Sequence, residues 1–242
     1  LDARVPRYTS YPTAPHFHNG VTAATVNSWL ERTDLSEPIS LYLHIPFCSK
    51  LCWYCGCNTT ITKTYAPVRP YLETLLDELE LVVERLPGRG RLSHLHFGGG
   101  TPSLLSPEDF RRVMAAISKY FDFVDRAEIS IEIDPRGFTG SRAKAYGEEG
   151  VTRASIGVQD FDADVQKAVH RIQPAEQVFD LVGTARKLGF DSVNVDLIYG
   201  LPKQTPETFK ETVDAVLKMN PDRLSVYNYA HLPHIFKPQR RI

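Results

Sequence analysis

The chain has 242 residues, of which 42% are hydrophobic and 24% are charged, and its formal net charge is −1. This composition is typical of a soluble globular protein, and the near-zero charge argues against a nucleic acid as the main partner. No apolar stretch approaches the ~18 uninterrupted residues of a membrane span, and the N-terminus shows no signal peptide with a cleavage site. We therefore expect a cytoplasmic monomer that binds neither nucleic acid nor membrane. We also expect a piece of a longer protein, because the chain stops just after a dense apolar segment.

Short β-rich runs alternate along the chain with longer segments of helical period. The predicted strands cover Ser40–Ile45, Ser93–Phe97, Ala127–Ile133, Arg153–Gly157, Ser192–Ile198 and Arg223–Tyr229. The predicted helices cover Arg69–Leu86, Pro107–Phe121, Gly140–Glu149, Asp162–Val169, Ala175–Leu188 and Pro206–Met219. We treat residues 1–38 as an N-terminal extension, a candidate for substrate contact, and residues 39–242 as the core.

Several of these helices carry start and stop signals. Ser106 and Thr205 are predicted N-caps, each followed by a proline at the first helical position, and Gly150 and Gly189 are predicted to stop their helices in a left-handed conformation. Six βα units in order imply a parallel α/β sheet with right-handed crossovers. When curled, this sheet is a partial (β/α)6 barrel similar to a TIM barrel.

All four cysteines of the chain lie within ten residues, at Cys48, Cys52, Cys55 and Cys57, directly after an apolar run that reads as a strand. Thiols this crowded indicate a shared inorganic centre, and we favour an iron–sulfur cluster. A structural zinc ion usually takes pairs of ligands from separated segments and so crosslinks them, whereas four ligands from this one loop would crosslink almost nothing. Disulfides need an oxidising compartment. Zinc, disulfides and inert thiols remain the alternatives.

The spacing C-x3-C-x2-C suits three corners of a cubane cluster. Cys57 follows Cys55 by only two positions and has little reach left, so we interpret it as a small buried residue or one that supports a ligand. Three protein thiolates leave one iron open to a small molecule. The sequence therefore predicts Cys48, Cys52 and Cys55 as ligands of a cluster with one open corner.

In βα barrels, functional residues collect in the loops after the strands. The glycine run Gly98–Gly100 follows the second strand and lets backbone groups approach a ligand closely, although a plain turn is the alternative. On the third strand, Glu128, Ser130, Glu132 and Asp134 share one face. A polar face inside a barrel needs partners, so we expect Glu132 to meet donors such as ribose hydroxyls, a solvated edge being the alternative. Asp134 precedes Pro135 as in an ordinary turn, and we leave it outside the site.

The cysteine spacing resembles that of the radical S-adenosylmethionine superfamily. In that family the open iron chelates the amino and carboxylate groups of S-adenosylmethionine, and an electron from the cluster cleaves the sulfonium to a 5′-deoxyadenosyl radical. The resemblance implies a partial (β/α)6 barrel, a [4Fe-4S] cluster, and contact between the Gly-Gly-Thr-Pro segment and the methionine amino group.

Further motifs resemble, more narrowly, the oxygen-independent coproporphyrinogen III oxidase (dehydrogenase) family. They are Arg7-Tyr-Thr-Ser-Tyr-Pro12, His44-Ile-Pro-Phe-Cys48, the extra Cys57, Gly157-Val-Gln-Asp-Phe161, Asp196-Leu-Ile-Tyr-Gly-Leu-Pro202 and Tyr229-Ala-His-Leu-Pro233. The match covers essentially the whole chain. Since the family enzyme is longer, the resemblance implies an N-terminal stretch and radical core without the C-terminal domain.

The resemblance also implies residue roles. Cys48, Cys52 and Cys55 would hold the cluster, and cofactor contacts would come from Tyr42, Gly99, Gly100, Thr101, Glu132, Gln159, Arg171 and Asp196. The family binds a second S-adenosylmethionine, and the backbone around Tyr54, with Gly99 and Ala230, matches that site. Tyr54 stands where the family pattern has phenylalanine. An arginine fork suits the cofactor carboxylate, although Arg171 also reads as a helix-surface charge.

The implied reaction is anaerobic oxidative decarboxylation in heme biosynthesis. Two propionate side chains of coproporphyrinogen III become vinyl groups, which gives protoporphyrinogen IX, and an electron donor must reduce the cluster. Arg4 and Arg7 are candidates for contact with the acidic tetrapyrrole, or are ordinary solvated arginines. His44, His96 and His231 stand near strand ends, and we expect His44 to pack or hydrogen-bond near the cluster without a ligand role.

Two other functions remain open. A heme-binding chaperone of the same family retains the three cysteines, but it typically has phenylalanine at the position of Cys57 and lacks the Arg7–Pro12 segment. A zinc-loop or electron-transfer protein without radical chemistry is the second. The presence of Cys57 and of the Arg7–Pro12 segment in this chain favours the enzyme over the chaperone.

Overall fold

The computed structural model describes residues 12–242, and its centre is a six-stranded parallel sheet. The strands are β1 (Ile39–Ile45), β4 (Arg91–Gly99), β5 (Asp122–Ile133), β6 (Arg153–Gln159), β7 (Ser192–Tyr199) and β8 (Arg223–Asn228), and they neighbour one another in chain order. All five pairings are parallel. The six predicted strands are therefore confirmed. Since β1 and β8 do not pair in the described chain, the sheet is the partial barrel that the sequence predicts.

The helices that connect the strands also match the prediction closely. They are α2 (Val68–Val83), α3 (Pro107–Tyr120), α4 (Gly140–Glu148), α5 (Ala163–Ala168), α6 (Ala175–Lys187) and α7 (Pro206–Lys218). Ser106 accepts a hydrogen bond from the Asp109 N–H, and Thr205 accepts one from Thr208. Gly150 and Gly189 have φ of 81° and 83°, which confirms both helix stops.

Among the α-helices and strands of residues 12–242, three were not predicted from the sequence. Helix α1 (Ala23–Glu31) begins in a capping box of Thr22 and Thr25, but it has no buried residue, so its period gives no core-facing signal. The strands β2 (Phe47–Cys48) and β3 (Thr60–Ile61) form a separate two-residue parallel pair. Elements this short escape any periodicity argument.

The core lies between the sheet and the helices that follow it. Phe97 of β4, Phe110 of α3 and Tyr146 of α4 are fully buried. Their rings pack in sequence at tilted angles, with centroids 5.1 Å apart for Phe97 and Phe110 and 4.3 Å apart for Phe110 and Tyr146. This aromatic packing fixes α3 and α4 against the sheet and so holds the strand ends in place.

The N-terminal predictions are only partly covered by the structure. Arg4 and Arg7, proposed for substrate contact, lie outside the described residues, as does the Arg7–Pro12 segment apart from its last residue. None of the helices between residues 12 and 242 has both the length and the apolar character needed to cross a membrane.

One stability prediction arises from helix α6. A Cβ added at Gly183 would meet no atom within 4 Å, and the residue lies inside the helix. Because glycine loses more backbone entropy on folding than alanine, Gly183→Ala is expected to raise the free energy of unfolding by about 0.5–1 kcal/mol. Urea denaturation of both proteins measures this difference. A loss of stability would show that α6 packs differently around Gly183.

Candidate functional site

A cavity of about 400 Å³ opens at the carboxyl ends of the strands. The cysteine loop forms one wall, and residues from the ends of β4 to β8 form the rest. The predicted site residues that line it are Cys48, Cys52, Tyr54, Cys55, Gly99, Gly100, Thr101, Glu132, Gln159, Arg171, Asp196 and Ala230. The structure thus brings together residues that are spread over 183 positions of the chain, from Cys48 to Ala230.

The cysteine loop is anchored at both ends. The Thr60 and Thr62 N–H groups donate to the carbonyls of Pro46 and Cys48 at 2.6 and 2.9 Å, which ties the exit of the loop back to its start. The Trp53 N–H donates to the Val169 carbonyl at 3.0 Å and so fixes the middle of the loop to the segment after α5. These bonds hold the cysteines in one wall of the cavity.

Hydrogen-bond donors point at the sulfur of each predicted ligand. Thr101 Oγ1 lies 3.3 Å from Cys48 Sγ, and the Cys57 N–H lies 3.5 Å from Cys55 Sγ. Arg136 Nη2 and Arg171 Nη1 lie 3.2 and 3.4 Å from Cys52 Sγ. Donors aimed at sulfur stabilise thiolates and tune the metals that they bind. The donor set therefore fits a thiolate-ligated cluster.

The thiols differ in their intrinsic acidity. Burial raises the pKa of Cys48 to about 11, and the Thr101 hydrogen bond opposes it only in part. A hydrogen bond from Cys57, against the opposing effect of burial, lowers the pKa of Cys55 to about 6. Metal ligation requires thiolates, so binding of a metal centre must release a proton from Cys48 near neutral pH.

Two further observations bear on the kind of centre. Over residues 12–242, no three side chains of His, Cys, Asp or Glu converge on a single point as ligands of one ion would. Cys57 is exposed rather than buried, which corrects that part of its interpretation. The backbone N–H of Cys57 donates to Cys55 Sγ, which is consistent with the alternative interpretation of Cys57 as a residue that supports a ligand.

The glycine run packs against the cysteine loop. A Cβ on Gly100 would lie 2.9 Å from Cys48 Sγ and from the Pro46 carbonyl, so any side chain there would displace the loop. Gly99 has φ of +123°, and its N–H donates to Glu132 Oε2 at 3.1 Å. The run is therefore more than a turn, because its lack of side chains lets β4 approach both the loop and the cavity.

The interpretation of Asp134 as an ordinary turn residue outside the site is wrong. Asp134 does cap the turn that begins at Pro135, but it also lines the cavity and is held between two arginines. Its Oδ2 accepts from Arg136 Nη2 at 2.6 Å, and its Oδ1 lies 3.5 Å from Arg171 Nη2. Sequence reasoning missed both Asp134 and Arg136. The available signal was their position directly after the carboxyl end of a barrel strand.

Arg171 is buried in the segment between α5 and α6, so it is not a helix-surface charge. Its two terminal nitrogens contact Cys52 Sγ, the Gly157 carbonyl and Asp134, and only Nε is buried without a partner. The fork expected to grip a cofactor carboxylate is thus directed at protein acceptors. Arg171 nonetheless places a positive charge on the cavity wall.

Two further carboxylates, those of Asp196 and Glu132, line the cavity. Asp196 accepts from Ser155 Oγ at 3.1 Å and from Asn194 Nδ2 at 2.8 Å, and burial raises its pKa despite these bonds. Glu132 accepts from the Gly99 N–H, so a partner for the polar face of β5 is present within the protein. Gln159 has φ of 69° at the end of β6.

Tyr54 and Ala230, predicted for a second cofactor molecule, are joined by a residue that sequence reasoning missed. Gln239 Nε2 donates to the Tyr54 carbonyl at 2.9 Å and to the Ala230 carbonyl at 3.1 Å. Gln239 is buried and lies in the short helical turn Lys237–Arg241. It couples the cysteine loop to the segment after β8.

Tyr42 is the predicted site residue that does not line the cavity. It is 55% exposed on β1, stacks on His96, and its Oη lies 2.9 Å from His44 Nδ1. The other ring nitrogen of His44 lies 3.0 Å from the Asn58 carbonyl oxygen. Both nitrogens of His44 therefore have protein partners beside the cysteine loop, in agreement with packing without a ligand role.

A pH prediction follows from Asp134. Burial alone would raise the pKa of this carboxyl, but the charge of Arg171 and the hydrogen bonds of Arg136 outweigh it and lower the pKa from 3.8 to about 2. A depressed folded-state pKa stabilises the protein above the unfolded value, and that contribution is lost as the pH falls from about 4 to about 2. Relative to Asp134→Asn, the parent is expected to lose roughly 2 kcal/mol more unfolding free energy between about pH 5 and pH 2. Parallel pH curves in chemical denaturation would contradict this.

Fold and site together define a parallel βα-barrel protein with a thiol-lined cavity at its strand ends. The family model of the radical SAM superfamily matches residues 42–216, more than half of the chain, and the chain belongs to that superfamily. A [4Fe-4S] cluster and S-adenosylmethionine are accordingly its cofactors.

Individual relatives extend the similarity to the whole chain. The oxygen-independent coproporphyrinogen III oxidase of Cereibacter sphaeroides is 48% identical over 242 residues, which are 100% of this chain and 54% of the relative. The enzyme of that name from Escherichia coli is 48% identical over 240 residues, 98% of this chain and 51% of the relative. A solved structure of coproporphyrinogen III oxidase from Escherichia coli, described as a radical SAM enzyme, superposes with a TM-score of 0.92 at 46% identity over 97% of this chain and 54% of that one. The chain thus spans about half the length of these relatives.

Proposed function

We propose that the chain is the radical core of an oxygen-independent coproporphyrinogen III oxidase. The observation that carries the proposal is the convergence of Cys48, Cys52 and Cys55 on one cavity, in a chain that is 48% identical along its full length to a relative of that name. The reaction would convert two propionate side chains of coproporphyrinogen III to vinyl groups and give protoporphyrinogen IX.

When bound, the reduced cluster and S-adenosylmethionine would supply a 5′-deoxyadenosyl radical that takes a hydrogen atom from the β-carbon of a propionate. The substrate radical would then lose one electron and CO2, which leaves the vinyl group. Each turnover therefore needs one electron to start the cleavage, and an electron acceptor to take the electron that the substrate releases.

The residues of the cavity have distinct tasks in this proposal. Cys48, Cys52 and Cys55 hold the cluster and leave one iron open. Gly99 and Gly100 let the β4 backbone reach the cofactor, and Glu132 offers its carboxylate to ribose hydroxyls. Arg171 supplies positive charge near the cofactor carboxylate, and Asp196 on β7 supplies a hydrogen-bond acceptor.

A second S-adenosylmethionine belongs to the same proposal. Tyr54, Gly99 and Ala230 would line its site, and the Gln239 bridge between the Tyr54 and Ala230 carbonyls supports this because it holds two of these three segments together. Equilibrium binding to the reconstituted protein is expected to give two molecules per chain. A stoichiometry of one would remove the second site and leave the first unaffected.

The assay that tests the function combines the anaerobically reconstituted protein with a reductant, S-adenosylmethionine and coproporphyrinogen III. Formation of 5′-deoxyadenosine, CO2 and a tetrapyrrole with vinyl groups would support the proposal. Stoichiometric heme uptake without 5′-deoxyadenosine would instead indicate the heme-binding chaperone.

A further inference from the structure

Arg136 is a buried arginine in the cavity wall to which the proposed reaction assigns no task. It lies in the turn after β5, its side chain is 6% exposed, and its Nη2 lies 3.2 Å from Cys52 Sγ. Nε and Nη2 of the same guanidinium contact both oxygens of Asp134 at 2.6 to 3.1 Å. Asp134 therefore fixes the plane of the guanidinium and directs the second N–H of Nη2 at the sulfur.

Both arginines of this cluster direct donors at one sulfur. Arg136 and Arg171 both donate to Cys52 Sγ, and Asp134 lies between the two guanidiniums. Cys52 is buried, so these two cationic donors act on its sulfur with little screening by water.

Donation to a ligand sulfur also has an electronic consequence. N–H groups directed at a cluster thiolate withdraw electron density, and the reduction potential of iron–sulfur centres depends on such hydrogen bonds and on the local charge. Withdrawal of density favours the reduced state. Of the three predicted ligands, Cys52 has two charged donors, whereas the donors to Cys48 and Cys55, from Thr101 and Cys57, are uncharged.

We propose that Arg136, braced by Asp134, is a positioning residue that holds the Cys52 thiolate and makes the bound cluster easier to reduce. The proposal rests on the proposed role of Cys52 as a cluster ligand. Residues of the turn after β5 would then help to set the reduction potential of the cluster. This role explains why Asp134 lies inside the site rather than in an ordinary turn.

The test measures the midpoint potential of the reconstituted cluster by a redox titration followed by electron paramagnetic resonance. Arg136→Met removes the charge and the donors at similar length, and it is expected to lower the equilibrium constant for reduction at least tenfold, a fall of about 59 mV for one electron. Arg136→Lys keeps the charge, but one ammonium cannot serve Asp134 and the sulfur together, so a smaller fall is expected. Arg111→Met removes an exposed arginine that pairs with Glu148 on α4, and it controls for net charge.

The outcomes separate cleanly. A parental potential in both Arg136 variants overturns the proposal, and so does a fall in Arg136→Met alone, which would reflect charge without directed donation. If the variants take up no iron, the cluster-free proteins are unfolded in urea. A cooperative unfolding transition then shows a folded protein that has lost its cluster, which supports a role at Cys52, whereas the absence of a transition shows that Arg136 only holds the fold. Cys52→Ser tells the two proposals apart, because a variant with full iron content would contradict the ligand role itself.

Discussion

Cys52→Ser is expected to abolish the cluster and, with it, all formation of 5′-deoxyadenosine. Cys52 is buried, receives two arginine N–H donors, and lies in the loop that the bonds to Pro46, Cys48 and Val169 hold in place. A serine hydroxyl is a far weaker ligand for iron than a thiolate. Iron and sulfide analysis after anaerobic reconstitution, together with the visible absorption of the cluster, measures the loss.

Cys57→Ser is the matched control for that loss. Cys57 is exposed and donates to Cys55 Sγ through its backbone N–H, which a serine keeps, and a serine hydroxyl can replace its thiol as a donor. We expect this variant to retain the iron content of the parent. Equal loss of iron in both variants would contradict a three-thiolate cluster, because it would make Cys57 a fourth ligand.

Gly99→Ala is expected to destabilise the protein by on the order of 3 kcal/mol and to lower its iron content after reconstitution. The new Cβ would lie 2.8 Å from the Ile45 carbonyl oxygen and 3.0 Å from the His44 ring, at a backbone φ of +123° that side chains rarely adopt. Overpacking against backbone and strain at such a φ add to each other. The alanine would push β1 and the cysteine loop away from β4. Urea unfolding measures the first effect, and iron analysis measures the second.

Gly137→Ala controls for the loss of a glycine near the same cavity. A Cβ at Gly137 would meet no atom within 4 Å, and the residue lies in the turn after β5 at a φ outside the left-handed range. The free energy of unfolding is expected to change by less than about 0.5 kcal/mol. If the two variants lose the same stability, the close approach of β4 to the cysteine loop is not what requires Gly99.

Most of the fold could be predicted from the sequence because the main strands and helices have clear hydrophobic patterns. Each central strand is an apolar run between turn signals, and helices such as α3 and α7 show both an apolar stripe and a capped start at Ser106 and Thr205. Helix α1 lacks a buried face, and β2 and β3 have two residues each. Such elements are specified by tertiary contacts, which a periodicity argument does not contain.

The candidate site was predictable where residue type and position agree. Cysteines crowded on one loop and a glycine run after β4 are distinctive in the sequence. Because both follow the carboxyl ends of parallel strands, they meet at one edge of the sheet. Asp134 was missed because the pair Asp-Pro is common in turns, and Gln239 because glutamine carries no distinctive chemistry. Asp134 forms an ion pair with Arg171, and Gln239 donates a hydrogen bond to the Tyr54 carbonyl. These partners lie far away in the chain and are visible only after folding.

The central claim is that three thiolates of one loop leave an iron free to bind S-adenosylmethionine. Its most direct test is reductive cleavage of S-adenosylmethionine by the reconstituted protein under strict exclusion of oxygen. The account predicts about four irons per chain and formation of 5′-deoxyadenosine and methionine in equal amounts. A protein that holds its full complement of iron, is reduced, and releases no 5′-deoxyadenosine would contradict it.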